Sequence, residues 1–192
     1  MNATEHLVEV YYRQLGCFTA TDIKIPKGNN RQFDLLAFNY TTKKLYHVEI
    51  SVAHGEHWAG NLNDLKKRIR FKFFGFPRNN RPENSKTDFA KGKTYLNAIK
   101  ATYLKYGIDY SEVVRVWCTW CLPPEKVTLD DWYQELATEF NLKSENFQLL
   151  LFRDTVIPTL LKNIGTANYD DELLRTLSLI NQFNIQTANK GR

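Results

Sequence analysis

The stretch Arg31-Gln-Phe-Asp-Leu-Leu-Ala-Phe-Asn-Tyr-Thr-Thr-Lys-Lys-Leu-Tyr-His-Val-Glu-Ile-Ser-Val52 decides the fold. Its apolar residues fall in two runs around the polar centre Asn39-Tyr-Thr-Thr-Lys-Lys44. That pattern predicts two antiparallel strands joined by a turn. One carboxylate stands inside each strand: Asp34 among Phe33, Leu35 and Leu36, and Glu49 between Val48 and Ile50. Side chains alternate faces along a strand. Leu45, His47, Glu49 and Ser51 therefore share one face, and Tyr46, Val48, Ile50 and Val52 share the other. Asp34 shares its face with Gln32.

Two readings fit this hairpin. It is half exposed and turns its polar residues to water, or it carries two interior carboxylates. An interior carboxylate loses solvation unless a cation compensates. Two on neighbouring strands repel each other, and a shared divalent metal turns that repulsion into binding energy.

Working outward, residues 4–15 read as a helix with Leu7, Val10 or Tyr11, and Leu15 on its apolar stripe, Asn2 or Thr4 as cap, and Gly16 as stop. Glu5, Glu9 and Tyr12 form a second stripe. An acid in a first turn is ordinary, because the helix dipole favours it. Residues 17–25 read as a strand ending at Pro26, and Lys27-Gly-Asn-Asn30 as a turn. The meander that follows lets Asp34 approach Glu49.

The 192 residues are enough for one sizeable domain, 1–192, and no linker or repeat divides them. The 43% hydrophobic and 14% aromatic content exclude a disordered chain. No apolar run reaches the roughly 18 residues needed to span a bilayer, and the N-terminus does not read as a signal peptide. A cytoplasmic protein without a membrane partner is expected. Cys17, Cys118 and Cys121 are too few for a disulfide framework. Cys118 and Cys121 have ligand-like spacing but no second cluster, so they read as core.

A helix carrying Glu, an extended segment, an Asp in a strand, a short turn and a strand with Glu resemble the PD-(D/E)XK nuclease superfamily. The residues are Glu5 in Glu-His-Leu-Val-Glu-Val, Asp34 in Gln-Phe-Asp-Leu-Leu-Ala, and Glu49 in His-Val-Glu-Ile-Ser-Val. The resemblance covers about the first 60 residues. It implies an α/β, restriction endonuclease-like core: an antiparallel meander, then a parallel strand, in one mixed sheet flanked by helices. It implies Glu5, Asp34 and Glu49 as ligands of Mg²⁺ or Mn²⁺ and hydrolysis of phosphodiester bonds, in DNA before RNA. It also allows a homodimer.

One position departs from the pattern. The family's lysine, two residues after the second acid, is Ser51 here. Serine can hydrogen-bond a water but brings no positive charge. Either the lysine has moved to the next helix, with Lys66 and Lys67 as candidates, or catalysis is lost and a binding module remains. His47 is a weaker substitute.

Past the hairpin, His54-Gly-Glu-His57-Trp58 reads as a polar loop, which the resemblance would bring near substrate or metal. Residues 61–74 read as a helix with Leu62, Leu65, Ile69 and Phe73 on one stripe. From 66 to 93 there are ten Lys and Arg against two acids, in a chain whose net charge is only +5. This segment is expected to be a basic helix-loop insertion that contacts nucleic-acid phosphates through Arg68, Arg70, Lys72, Arg78, Arg81 and Lys86. A further helix over 87–106, a buried strand over 113–122, a helix over 129–140 and a strand over 146–152 follow. Helices over 153–164 and 170–183 close the fold, with a frayed tail from Asn184. Three functions are compatible: a metal-dependent nuclease, an inactive nuclease-like domain that binds nucleic acid, or an α/β protein-interaction domain.

Overall fold

Asn2 opens the first helix by a reciprocal cap. Its Oδ1 accepts from the Glu5 N–H at 3.0 Å, and Glu5 Oε2 accepts from the Asn2 N–H at 2.8 Å. The computed structural model describes residues 2–26, 31–52, 62–76, 86–122 and 128–190; of 86–94 and 190 it describes the backbone alone. Helix α1 is Ala3–Gln14, and strands β1 (Cys17–Lys24), β2 (Gln32–Asn39) and β3 (Lys44–Ile50) follow. Helices α2 (Leu62–Phe74) and α3 (Lys86–Lys105) lead to β4 (Val113–Thr119). Then come α4 (Leu129–Phe140), β5 (Phe147–Leu151), α5 (Ile157–Ile164) and α6 (Glu172–Lys190).

The five strands form one mixed sheet in the order β1-β2-β3-β4-β5. β1, β2 and β3 make the expected antiparallel meander, and β3-β4 and β4-β5 are parallel pairs. The fold is α/β with helices on both faces. β4 is buried along its whole length, as suits a strand covered from both sides. Among the described residues no helix is long and apolar enough to cross a membrane.

Register sorts the side chains into two cores. Leu35, Val48 and Val116 are cross-strand partners, and with Ala37, Val114, Cys118 and Leu150 they pack against α1 and α5. Leu36, His47, Arg115 and Phe147 form a cross-strand row on the opposite face, and Glu49 pairs there with Trp117. That second face is covered by α2 and α4, through Leu65, Ile69, Phe73, Trp132 and Leu136, and by α3 through Ile99 and Tyr103. The 66–93 segment therefore supplies core residues: Ile69, Phe73 and Phe74 are all buried. Leu62, Leu65, Ile69 and Phe73 are the buried stripe that the helical period requires.

The tail corrects one expectation. α6 runs on to Lys190 instead of fraying from Asn184. Asp171 starts it by accepting from the N–H groups of Leu173 and Leu174, each at 3.0 Å, and Asn181 ties its middle to the Leu161 and Gly165 carbonyls. Cys17, Cys118 and Cys121 are free and buried.

Candidate active site

The paired register of β2 and β3 begins at Leu35 opposite Val48. One step further along, the Ile50 N–H donates to the Asp34 side chain, at 2.9 Å from Oδ2. A carboxylate thus stands where a backbone carbonyl would continue the ladder. This draws Asp34 across to the end of β3, beside Glu49. Asp34 is 7% exposed and Glu49 0%, which rules out the half-exposed hairpin.

The cation between them comes from α2. Lys72 Nζ lies 2.5 Å from Glu49 Oε2 and 3.6 Å from Asp34 Oδ1. Lys72 stands seven residues after Leu65, two helical turns, and so falls at the edge of the buried stripe of α2, with its side chain 31% exposed. The end of α2 is pinned by Arg31 at the foot of β2. Its guanidinium donates to the carbonyls of Phe71 and Phe76 and stacks on the Phe71 and Tyr95 rings, 4.0 and 4.7 Å from their centroids.

The charges act on one another at short range. Burial, and then the Glu49 charge, push the Asp34 carboxyl up to about 6, against the pull of Lys72 and the Ile50 N–H. Burial also raises Glu49, with Lys72 opposing. For Lys72, burial disfavours the charged form, but the two carboxylates outweigh it and the ammonium is held more firmly than usual. His47, at 2.8 Å from Glu49 Oε1, is kept neutral by burial and by the charge of Arg115.

The other expected residues lie elsewhere. Glu5 is bound into the cap of α1, on the helix that covers the far face of the sheet, so it does not meet Asp34 and Glu49. Lys66 Nζ pairs with Glu139 at 3.1 Å and Glu135 at 3.6 Å on α4, and Lys67 pairs with Asp64 at 3.2 Å in the solvent. Arg70 pairs with Glu139 at 3.0 Å. Arg68 donates to Ser51 Oγ at 3.3 Å, just past Glu49. Arg78 and Arg81 lie outside the described residues, as do His54, Glu56 and His57, and the side chain of Lys86 is not described. Sequence reasoning placed Lys72 among the phosphate contacts and missed Tyr103 and Arg115. The α2 stripe gave no signal that separates Lys72 from Lys66, because Lys66, four residues after Leu62 and three before Ile69, lies as near to it as Lys72.

Among the described residues no three His, Cys, Asp or Glu side chains form a metal-binding group. Asp34 and Glu49 are a pair. A pair suits Mg²⁺, which takes one or two carboxylates and completes its shell with water and substrate phosphate. Both carboxylates already face one cation, the Lys72 ammonium, so their donor chemistry fits a hard divalent ion. No protein-family model matches the chain, and neither a curated protein nor a solved structure matches it.

Proposed function

We propose that the chain is a metal-dependent nuclease of the PD-(D/E)XK type, acting on DNA before RNA, with Lys72 in the role of the lysine that Ser51 displaces. The observation that carries this reading is the buried Asp34–Lys72–Glu49 cluster at the end of β3. The order helix, antiparallel meander, parallel strand supports a restriction endonuclease-like core. A core structural ion pair is the simpler account of any buried carboxylate and lysine. Two acids around one partly exposed lysine exceed what such a pair needs.

Each residue has a role set by its chemistry. Asp34 and Glu49 would hold Mg²⁺ or Mn²⁺. When bound, the metal supplies positive charge to the scissile phosphate and lowers the pKa of a water. Lys72 stays protonated beside two carboxylates, so it stabilises negative charge growing on phosphate oxygens and does not act as a base. Arg68, held by Ser51, offers a fork for a neighbouring phosphate.

The test is incubation of single-stranded, duplex and branched DNA, and of RNA, with Mg²⁺ or Mn²⁺. The wild type is expected to cut, and Asp34→Ala or Glu49→Ala to lower the rate by about two to three orders of magnitude, several kcal/mol of transition-state stabilisation. Binding without cutting of any substrate would leave the inactive nucleic-acid binder in its place.

A further inference from the structure

Glu49 is held from behind as well as from the front. Oε2 faces Lys72, and Oε1 lies 2.8 Å from His47 Nε2. His47 Nδ1 lies in turn 2.5 Å from the hydroxyl of Tyr103 on α3. His47, Glu49 and Tyr103 are all fully buried. The imidazole is wedged between rings, with the Phe33 centroid at 4.1 Å and the Phe73 centroid at 4.7 Å, so it cannot turn aside.

The directions of these bonds follow from what each group can do. An ionised carboxylate only accepts, so Nε2 carries the ring proton and donates it to Glu49. In a neutral ring Nδ1 is then an acceptor, and the Tyr103 O–H is the donor that meets it.

We propose that His47, oriented by Tyr103, is the positioning residue for Glu49. The chain from Tyr103 O–H to His47 Nδ1, and from His47 Nε2–H to Glu49 Oε1, fixes the carboxylate so that Oε2 faces Lys72. The hydrogen-bond chain is independent of the nuclease reading; its effect on turnover rests on that reading. Such outer partners of metal-binding groups change affinity or activity by about 10–100-fold when removed.

The experiment uses the isotope-labelled full chain, with histidine ring nitrogens and carboxyl carbons read by NMR at neutral pH. His47 is expected to show the Nε2–H tautomer alone. Tyr103→Phe is expected to move the His47 Nδ1 and Glu49 carboxyl resonances while the spectrum away from the cluster is unchanged. In the cutting assay His47→Leu lowers kcat by about 10–100-fold with KM unchanged. His47→Gln, whose amide still donates to Glu49, recovers most of that loss. An Nδ1–H tautomer, or a Glu49 resonance indifferent to Tyr103→Phe, overturns the proposal, as does equal loss in folded His47→Gln and His47→Leu. Should Tyr103→Phe fail to fold, the tautomer and the His47 pair decide the matter. If the wild type cuts nothing, the nuclease reading falls, and the tautomer and the carboxyl resonance still decide this one.

Discussion

A lysine in the last turn of a helix ordinarily extends into water, where the helix dipole already favours it. Lys72 bends the other way, onto Glu49 and Asp34. The cost of gathering these charges falls on Asp34, whose carboxyl is held up at about 6. Between the ordinary aspartate range near 4 and this value, the folded state binds a proton that the unfolded state has released. Stability therefore falls as pH rises across that window and is flat above it, by on the order of 2 kcal/mol. Glu49 shifts in the same direction. Thermal melts without divalent metal should show this slope, and Asp34→Asn should remove much of it and melt several degrees higher at pH 8. A wild type whose melting temperature rises from pH 4 to 6 would contradict the account. Asp34 and Glu49 were legible as a pair because each interrupts an apolar strand. Lys72 was not legible as the cation of the site, because it is one of ten Lys and Arg between 66 and 93 and Lys66 lies equally near the α2 stripe. Tyr103 gave no signal, because a buried hydroxyl and a plain core tyrosine look alike in sequence.

At the scale of elements, the site depends on where α2 ends. Gly75 follows Lys72 by three residues and has φ +77°, a region that side chains rarely adopt. A Cβ there would stand 2.7 Å from the Leu96 backbone nitrogen and from the Tyr95 Cβ on α3. Gly75→Ala is expected to cost about 2–4 kcal/mol, from left-handed strain and forced separation of α2 from α3. Chemical denaturation measures this, and a loss under about 0.5 kcal/mol would deny the close approach. Arg31 pins the same junction from β2. The meander, α2 and the buried β4 were all legible from period and composition. The length of α6 was not, because residues 184–189 are all exposed and leave no buried stripe to read. Nor could a periodic pattern say that α1 covers the face opposite Glu49, which is what takes Glu5 out of the site.

For the molecule as a whole, the charge of +5 is less available than its sequence suggests. Lys66 and Arg70 are spent on the α4 acids Glu135 and Glu139, and Lys72 on the site. Arg68, on the open side next to Ser51, is the α2 cation best placed to meet a phosphate. The salt dependence of DNA binding should therefore lose about one phosphate contact in Arg68→Ala and stay nearly unchanged in Lys66→Ala. Equal slopes in the two variants would place the nucleic acid elsewhere. The α/β order of elements was readable in advance. The side of the sheet that each helix covers came only with the three-dimensional register, and the site's assembly followed from it.

On the proposed function, Lys72 supplies the charge missing at Ser51. The most direct measurement is the Mg²⁺-dependent DNA cleavage rate of Lys72→Met beside Lys66→Met, with folding checked by melting temperature. Lys72→Met is expected to lose about two to three orders of magnitude, and Lys66→Met to cut within about twofold of the wild type. Full activity in a folded Lys72→Met, or loss in Lys66→Met alone, would contradict the account.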